Sequence, residues 1–215
     1  MKNKNTTDAQ WVKLIDFYTV PTYLKKFITE PFLLRKKFLE PILDAGCGTG
    51  HVLKILTDKG LFVMGVDINL NKKKVQYRAI RADIEKFKPK DFLVGDVLLI
   101  NVFSCIDSAA KRQNILNNLK KIKSPKGKIY VIHMAEDILG DDFKSSVMSV
   151  SQKQSKKAYL KFKQIDGKEI GMMDNMIFEQ EFEEQCKKAG LKILKKIYKK
   201  YKKEKFNIYT IYILR

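Results

Sequence analysis

Residues 41–56 read PILDAGCGTGHVLKIL, in which an apolar run, a glycine-rich loop and an amphipathic segment follow one another. The apolar run predicts a buried strand, and the segment after Gly50 predicts a helix. Glycines at 46, 48 and 50 let the backbone turn sharply and let a ligand approach the main chain. A helix N-terminus also presents unpaired N–H groups and partial positive charge. The loop therefore suits a ligand that carries a carboxylate or a phosphate.

Two familiar phosphate-binding loops share parts of this pattern. A dinucleotide site would have Gly-x-Gly-x-x-Gly, but His51 stands where the third glycine belongs. A Walker A loop is excluded because no Gly-Lys-Ser/Thr follows the glycines. Asp44, which precedes the loop, suits a cationic ligand better than a pyrophosphate. These departures disfavour a dinucleotide without identifying the ligand.

From residue 41 onward, short apolar runs alternate with longer amphipathic ones, which indicates an α/β fold with a doubly wound, mostly parallel sheet. We predict one domain over residues 1–215, because the chain is too short for two ordinary domains. The predicted strands are 41–45, 61–67, 77–82, 95–101 and 127–134, and the predicted helices are 51–59, 107–122 and 178–189.

The last segment of the chain allows two interpretations. Residues 191–201 fit a basic amphipathic helix suited to a membrane surface. They also fit a strand that pairs with a second strand at 206–214, whose composition is strongly β-forming. We favour the strand.

Two regions lie outside the alternating core of residues 41–134 and the C-terminal helix and strands of 176–215. Residues 1–40 predict an N-terminal helical lid, with helices at 8–19, 22–29 and 31–39 bounded by prolines. Residues 135–175 break the alternation and are interpreted as a substrate-side insertion before the sixth strand. Within them, alternating residues around Asp166-Gly167 predict a β-hairpin.

The net charge of +19 invites a nucleic-acid interpretation. However, only five of the 43 basic residues are arginines, and arginine is the residue favoured for bidentate phosphate and base contacts. A nucleic-acid partner is therefore an open alternative that the composition does not favour.

Cysteine and histidine usage bears on compartment and metal binding. Cys47, Cys105 and Cys186 lie far apart without Cys-x-x-Cys spacing, so we expect reduced thiols in a cytoplasmic protein. No apolar run approaches the roughly 18 residues that a membrane span needs, and no signal peptide is visible. With only His51 and His133 as histidines, we expect no metal site.

The run Leu43–Gly50 resembles the first motif of the class I S-adenosylmethionine-dependent methyltransferases almost residue for residue. The resemblance covers residues 41–123 and continues more loosely to Arg215. It implies a seven-stranded Rossmann-like sheet and S-adenosylmethionine as cofactor, with S-adenosylhomocysteine as its product. It also implies that the loop holds the methionine moiety through Gly46, Cys47, Gly48 and Gly50, with Asp44 near the amino group.

Two further acids strengthen this resemblance. Asp67 closes the second strand 21 residues after Gly46, and a carboxylate suits the two hydroxyls of a ribose. By resemblance Asp67 binds the ribose with Ile68 beside it, and Asp83 and Ile84 bind the adenine amino group and ring. The alternatives are that Asp67 only caps the next turn and that Asp83 is an ordinary N-cap. Only 16 positions separate the two acids, so the helix between them is at most a turn or two.

Residues 101–105, Asn-Val-Phe-Ser-Cys, resemble the end of the fourth strand, close to the methyl group, which places Asn101 and Phe103 at the cofactor. The Asn/Asp-Pro-Pro-Tyr/Phe motif of methyltransferases that act on base amino groups is missing. The histidine that many small-molecule members carry after this strand is missing too. His133 at the end of the fifth strand is then the candidate base, with a satisfied core histidine as the alternative. Tyr18 and Tyr23 are candidate substrate contacts in the lid.

The sequence therefore predicts an enzyme that transfers a methyl group from S-adenosylmethionine to an oxygen, nitrogen or carbon atom of a small molecule. An RNA or protein methyltransferase that uses the basic surface is one alternative. A cofactor-binding module without catalysis is the other.

Overall fold

The computed structural model describes residues 30–70, 75, 77–90, 92–106, 108–140, 148–154, 157–163, 169–175, 177–200 and 205–215. The helices are α1 (Glu30–Arg35), α2 (His51–Asp58), α3 (Ala109–Ile122) and α4 (Glu179–Lys188). The strands are β1 (Ile42–Ala45), β2 (Val63–Asp67), β3 (Ala79–Arg81), β4 (Val97–Ile100), β5 (Ile129–Met134), β6 (Met148–Gln154), β7 (Lys157–Lys163), β8 (Glu169–Asn175), β9 (Ile193–Lys199) and β10 (Tyr209–Leu214).

Seven of these strands form one sheet in the order β3-β2-β1-β4-β5-β10-β9. The strands β1 to β5 are parallel, whereas β10 runs antiparallel to both β5 and β9. The order reverses between β1 and β4, which makes the carboxyl ends of these two strands the expected ligand crevice. The predicted doubly wound, mostly parallel sheet is confirmed.

The sheet is buried on both faces, as continuous apolar strands require. Leu43 and Val97 belong to the core cluster that also holds residues of α3 and α4. Ile42 and Leu98, their neighbours in sequence, belong to the cluster on the other face with residues of α1 and α2. Helices therefore cover both sides, and only the strand ends remain for a site.

The insertion between β5 and α4 is a three-stranded antiparallel sheet in the order β6-β7-β8. The predicted hairpin is confirmed as β7 and β8, while its turn at Asp166-Gly167 lies outside the described residues. The strand β6 was not predicted. The insertion sheet lies against the carboxyl ends of β4 and β5, because β8 contacts the short 3-10 turn at Phe103–Cys105 and β6 contacts that at Glu136–Leu139.

The C-terminal segment forms two strands, and the helical interpretation of residues 191–201 is wrong. The strand β9 pairs with β10 from Lys199 opposite Tyr209 to Ile193 opposite Leu214, with a register shift between Ile213 and Leu214. That pairing satisfies backbone groups along both strands and places the lysines of β9 on an outer strand, where charge opposes pairing with another chain. In the part of the chain that the structure describes, no helix is long and apolar enough to cross a membrane.

The predicted strands and helices between residues 41 and 201 agree with the observed ones to within two residues at each end. The strand predicted at 206–214 begins three residues later, at Tyr209, and the helix predicted at 31–39 is shorter, because α1 ends at Arg35. Leu39 instead forms two hydrogen bonds with Asp96, next to the start of β4. The Leu39 N–H donates to Asp96 Oδ2 over 2.9 Å, and the Leu39 carbonyl accepts from Asp96 N over 2.7 Å. The predicted helices at 8–19 and 22–29, with Tyr18 and Tyr23, lie outside the described residues.

Asp96 ties the start of β4 to its surroundings, and its removal is expected to destabilise the fold. Its carboxylate is 3% exposed and accepts from Leu39 N at 2.9 Å, Lys128 N at 2.7 Å and Tyr130 Oη at 3.4 Å. Asp96→Ala should lower the free energy of unfolding by about 2 to 4 kcal/mol, because it leaves these donors without their partner. Urea unfolding followed by circular dichroism measures this. Tyr130→Phe is the control and should cost at most about 1 kcal/mol; an equal loss in both variants would contradict the account.

Candidate functional site

The glycine loop between β1 and α2 is held by both neighbouring strands. Gly46, Gly48 and Gly50 all have positive φ, at 85°, 51° and 80°. The N–H groups of Gly46 and Cys47 donate to Val66 O over 2.7 and 3.1 Å. On the other side, a Cβ on Gly46 would lie 2.4 Å from Val102 Cγ2. The loop therefore needs glycine at position 46 for both its conformation and its space.

Asp67, at the end of β2, anchors this loop. One carboxylate oxygen, Oδ2, accepts from Gly48 N over 2.9 Å, and the other, Oδ1, accepts from Asn69 N over 2.8 Å. The local turn-capping contact anticipated for Asp67 is thus present, but it occupies only one oxygen. Because a carboxylate offers about four lone-pair sites, Asp67 retains acceptor capacity for two hydroxyl groups.

Asp44, at the end of β1, is a buried carboxylate without compensation. It is 2% exposed, and its Oδ2 has no hydrogen-bond partner among the described residues. Burial, followed by the nearby charge of Asp67, raises the pKa of Asp44 to about 8. An uncompensated buried carboxylate is costly, and a cationic ligand group placed beside it would remove that cost. The thiol of Cys47 lies against Gly65 in the same interior, where burial raises its pKa.

The segment after β3 lies beside Asp67. Ala82 N donates to Asp67 O over 3.1 Å, and Arg81 Nε donates to Ile68 O over 3.1 Å. Asp83 Oδ1 accepts from Glu85 N over 3.0 Å. This is the kind of contact that the alternative interpretation of Asp83, as a capping residue, predicts. Ile68 is 49% exposed. An apolar side chain thus faces outward beside two carboxylates, a combination that suits a flat ring with polar edges.

Asn101 follows β4 and has an unusual backbone. Among the described non-glycine residues it alone has positive φ, at 56°. Its N–H donates to Ile132 O over 2.8 Å, and its carbonyl accepts from Ser104 Oγ at 3.3 Å and Cys105 Sγ at 3.2 Å. Its side-chain Oδ1 is buried and has no hydrogen-bond partner among the described residues.

His133 lies in an aromatic cluster on the α4 side of the sheet. It is 1% exposed, stacks on Tyr212 with ring centroids 5.5 Å apart and meets Phe182 edge to face at the same distance. Its Nδ1 lies 2.8 Å from Met134 O, and burial lowers its pKa to about 4. Because a carbonyl can only accept, Nδ1 carries the hydrogen, and Nε2 is an acceptor without a partner among the described residues.

The predicted site residues therefore fall into two groups. The carboxyl ends of the strands bring together the loop, the acids, Ile68 and Asn101; these are Asp44, Gly46, Cys47, Gly48, Gly50, Asp67, Ile68, Asp83 and Asn101. Ile84 is 9% exposed and packs in the core cluster that holds residues of α3 and α4. Phe103 instead is 1% exposed and packs edge to face on Phe182, in the cluster that holds His133.

Three residues that shape the loop were not predicted from the sequence. Val102 limits the space at Gly46, and at Gly50 a Cβ would lie 3.1 Å from Val75 Cγ1 and 3.6 Å from the ring of Tyr77. All three contacts come from other segments of the chain, so no local pattern could have revealed them.

The groups at this site match the parts of S-adenosylmethionine. The uncompensated carboxylate of Asp44 matches an ammonium group, and the space beside Gly48, where a Cβ would meet no atom within 4 Å, admits a ligand close to the main chain. Asp67 matches ribose hydroxyls, and Ile68 offers an apolar surface to a base. No group of three or more metal-ligating side chains occurs among the described residues.

Comparison with known proteins agrees with this geometry. A family described as "Methyltransferase domain" matches residues 18–196. A search of curated proteins gives no match.

Several solved structures share the fold at low sequence identity. An S-adenosylmethionine-dependent methyltransferase from Clostridium acetobutylicum is 17% identical with a TM-score of 0.62, and the alignment covers 98% of each chain. The CcbJ methyltransferase from Streptomyces caelestis is 14% identical with a TM-score of 0.65, over 95% of each chain. The glycopeptide N-methyltransferase MtfA, complexed with S-adenosylmethionine, is 11% identical with a TM-score of 0.62, over 86% of this chain and 90% of that one.

The buried carboxyl group of Asp44 should leave a signature in the pH dependence of stability. Its pKa in the folded state, about 8, exceeds its unfolded value near 3.8, so the folded state binds more protons between these values. The free energy of unfolding should therefore fall, relative to Asp44→Asn, as pH rises from about 4 to 8. Urea unfolding of both proteins at several pH values measures this difference. Any effect of the substituted amide on stability that does not change with pH leaves the slope of the free energy of unfolding against pH unaffected. Parallel pH profiles would contradict the uncompensated state of Asp44.

Proposed function

The chain belongs to the S-adenosylmethionine-dependent methyltransferases, and we propose that it transfers the methyl group to a small molecule bound under the three-stranded insertion. The observation that carries this proposal is the cover that β6, β7 and β8 form over the carboxyl ends of β4 and β5. A cover at this position favours an acceptor small enough to be enclosed, as in most ligand pockets.

The charge beside the strand ends supports a small acceptor over a nucleic acid. The segments that follow β4 and β5, residues 101–106 and 135–140, contain neither lysine nor arginine, although the chain carries 43 such residues. The second segment instead carries Glu136 and Asp137. A phosphate backbone needs cations where it docks, and these two turns themselves supply none. The name of MtfA, a glycopeptide N-methyltransferase, agrees with an acceptor that is not a nucleic acid.

In this proposal each part of the cofactor has its own residues. The backbone of Gly46, Cys47, Gly48 and Gly50 holds the methionine moiety, with Asp44 at its ammonium group. Asp67 accepts from the ribose hydroxyls, Asp83 contacts the adenine amino group, and Ile68 and Ile84 contact the ring. When bound, S-adenosylmethionine supplies an electrophilic methyl group. Phe103 acts from the interior, where it supports the turn that follows Asn101.

The contribution of the protein to methyl transfer is mainly positioning. An aligned acceptor needs only to be held in line with the methyl group and away from water. A base is needed only when a proton must leave during transfer. The role of His133 as that base stays a prediction: its ring is neutral at pH 7, but a pKa near 4 makes it a weak proton acceptor.

Asp67→Ala should weaken S-adenosylmethionine binding at least tenfold. The substitution removes charge-assisted hydrogen bonds, each of which contributes about 1.5 to 3 kcal/mol, and it also frees the Gly48 amide. Isothermal titration calorimetry gives the dissociation constant. Asp58→Ala is the matched control, because Asp58 is an exposed acid that pairs with Lys54 on α2 and should leave the affinity unchanged. An affinity of Asp67→Ala within about twofold of wild type would exclude the assignment.

Incubation with tritium-labelled S-adenosylmethionine tests the class of acceptor. The enzyme is supplied separately with a metabolite extract, total RNA and total protein, and the label is followed by size and by nuclease or protease treatment. We expect the label in the metabolite fraction. Label confined to RNA, with a steep loss at higher salt, would establish the RNA alternative instead. Tight cofactor binding without any labelled product would favour the module without catalysis.

A further inference from the structure

The edge of the large sheet opposite the cofactor site collects positive charge. The helices α3 and α4 end where the next strands, β5 and β9, begin, and the antiparallel strand β10 ends at the same edge. Residues 119–128 contain five lysines, residues 186–195 contain four, and Arg215 follows β10; these segments contain no acid. This surface, made of residues 119–128, 186–195 and 215, is named the basic edge.

Contacts between these segments hold their charges close together. The ammonium group of Lys120, in the last turn of α3, lies against the turn that ends α4, because a Cβ on Gly190 would be 2.6 Å from Lys120 Nζ. The backbones of Lys192 and Arg215 exchange two hydrogen bonds of 2.7 and 2.9 Å. The basic edge is therefore one surface, although its residues come from three parts of the chain.

Lys123 shows that this positive charge is not compensated. Its side chain is buried, its Nζ donates to Ser124 O over 3.2 Å, and it forms no ion pair within the described part of the chain. Burial, followed by the positive charge of Arg215, lowers its pKa, although the buried Asp96 carboxylate acts in the opposite direction. The helix dipole explains lysines in the last turn of a helix, but not a buried ammonium group beside another cation. An anion at this surface would relieve that cost.

Exposed apolar side chains continue this edge of the sheet toward β1. Phe92 and Leu93, which precede β4, and Leu39, which precedes β1, are all at least 40% exposed. Val94 pairs with Lys123 in an isolated parallel bridge, which places Leu93 beside the basic edge. Large apolar side chains that adjoin one another on a surface mark contacts with a partner or a membrane.

We infer that this side of the sheet docks the enzyme on an anionic lipid membrane, with the basic edge at the lipid phosphates and Leu39, Phe92 and Leu93 in the interface. Binding to a membrane surface combines these two contributions, electrostatic attraction to anionic lipids and burial of apolar side chains. Docking in this way leaves the carboxyl ends of the parallel strands facing away from the membrane. The inference does not depend on which molecule is methylated.

A membrane fits this surface better than a nucleic acid does. Nine of the ten cations of the basic edge are lysines, whereas arginine is favoured for the bidentate phosphate and base contacts of nucleic-acid sites. Attraction to a charged membrane is diffuse and needs no such geometry. Leu39 and Leu93 offer no ring on which a base could stack, but both gain from leaving water for a lipid interface.

Co-sedimentation of the whole chain with lipid vesicles tests this docking. The probes are phosphatidylcholine vesicles with and without phosphatidylglycerol, each at low and at high salt. We expect binding to the anionic vesicles alone and a loss of binding at high salt, because salt screens exposed charges. No binding to the anionic vesicles, or equal binding to both kinds of vesicle, overturns the inference.

A triple variant tests the contribution of the basic edge. Lys120→Gln, Lys126→Gln and Lys192→Gln together remove three cations whose side chains are exposed. The triple should bind anionic vesicles at least thirtyfold more weakly, because each lysine near such a surface contributes about fivefold. Urea unfolding checks that the variant is folded.

A second triple variant with the same loss of charge is the matched control. Lys111→Gln, Lys200→Gln and Lys205→Gln remove three cations near the opposite edge of the sheet, at the start of α3, after β9 and before β10. Its affinity for anionic vesicles should fall less than about threefold, since charges far from the membrane are screened. Equal losses in the two triples would show that only net charge matters and would overturn the inference.

The apolar side chains distinguish a membrane from RNA. Phe92→Ser combined with Leu93→Ser should weaken binding to anionic vesicles about tenfold, because two side chains no longer enter the interface. The same double variant should leave any binding of total RNA, measured by filter retention, unchanged. Vesicle binding equal to that of the wild type, or RNA binding that persists at a salt concentration at which vesicle binding is lost, overturns the inference; the second result assigns the basic edge to nucleic acid.

Discussion

The hydrogen bond from Gly48 N to Asp67 Oδ2, 2.9 Å long, joins the two strands on which the rest of the site depends. It requires a left-handed backbone in the glycine loop and a carboxylate at the end of β2. The same loop is closed on its other side by Val102, which follows β4. The relative positions of β2, β1 and β4 thus determine where a ligand can approach the main chain, and a seven-stranded sheet buried on both faces makes those positions rigid.

Polar groups without partners mark the parts of the site that a ligand must complete. Asp44, Asn101 and His133 stand at the ends of β1, β4 and β5, each with one buried polar atom lacking a hydrogen-bond partner among the described residues. Folded proteins seldom leave such atoms unsatisfied. We interpret Asp44 as the counter-charge for the ammonium group of the cofactor. His133 lies instead in the interior cluster with Phe182 and Tyr212.

Much of the fold and of the cofactor site could be predicted because the signals are local. Apolar runs of strand length, the glycine loop and the 21-residue spacing from Gly46 to Asp67 all lie within one stretch of chain. Features that depend on contacts between distant segments could not be predicted. The helix at 31–39 ends early because Leu39 bonds to Asp96, and Phe103 and His133 are interior because α4 packs Phe182 against both. The strand β6, with the sequence MSVSQKQ, has few apolar residues and forms through its pairing with β7.

The central claim is that the carboxyl ends of β1, β2 and β4 bind S-adenosylmethionine. A crystal structure of the complex with S-adenosylhomocysteine tests it most directly. We expect the amino group of the ligand beside Asp44, its ribose hydroxyls on Asp67 and its base against Ile68. Density for the ligand elsewhere, or a ribose that does not contact Asp67, would contradict it.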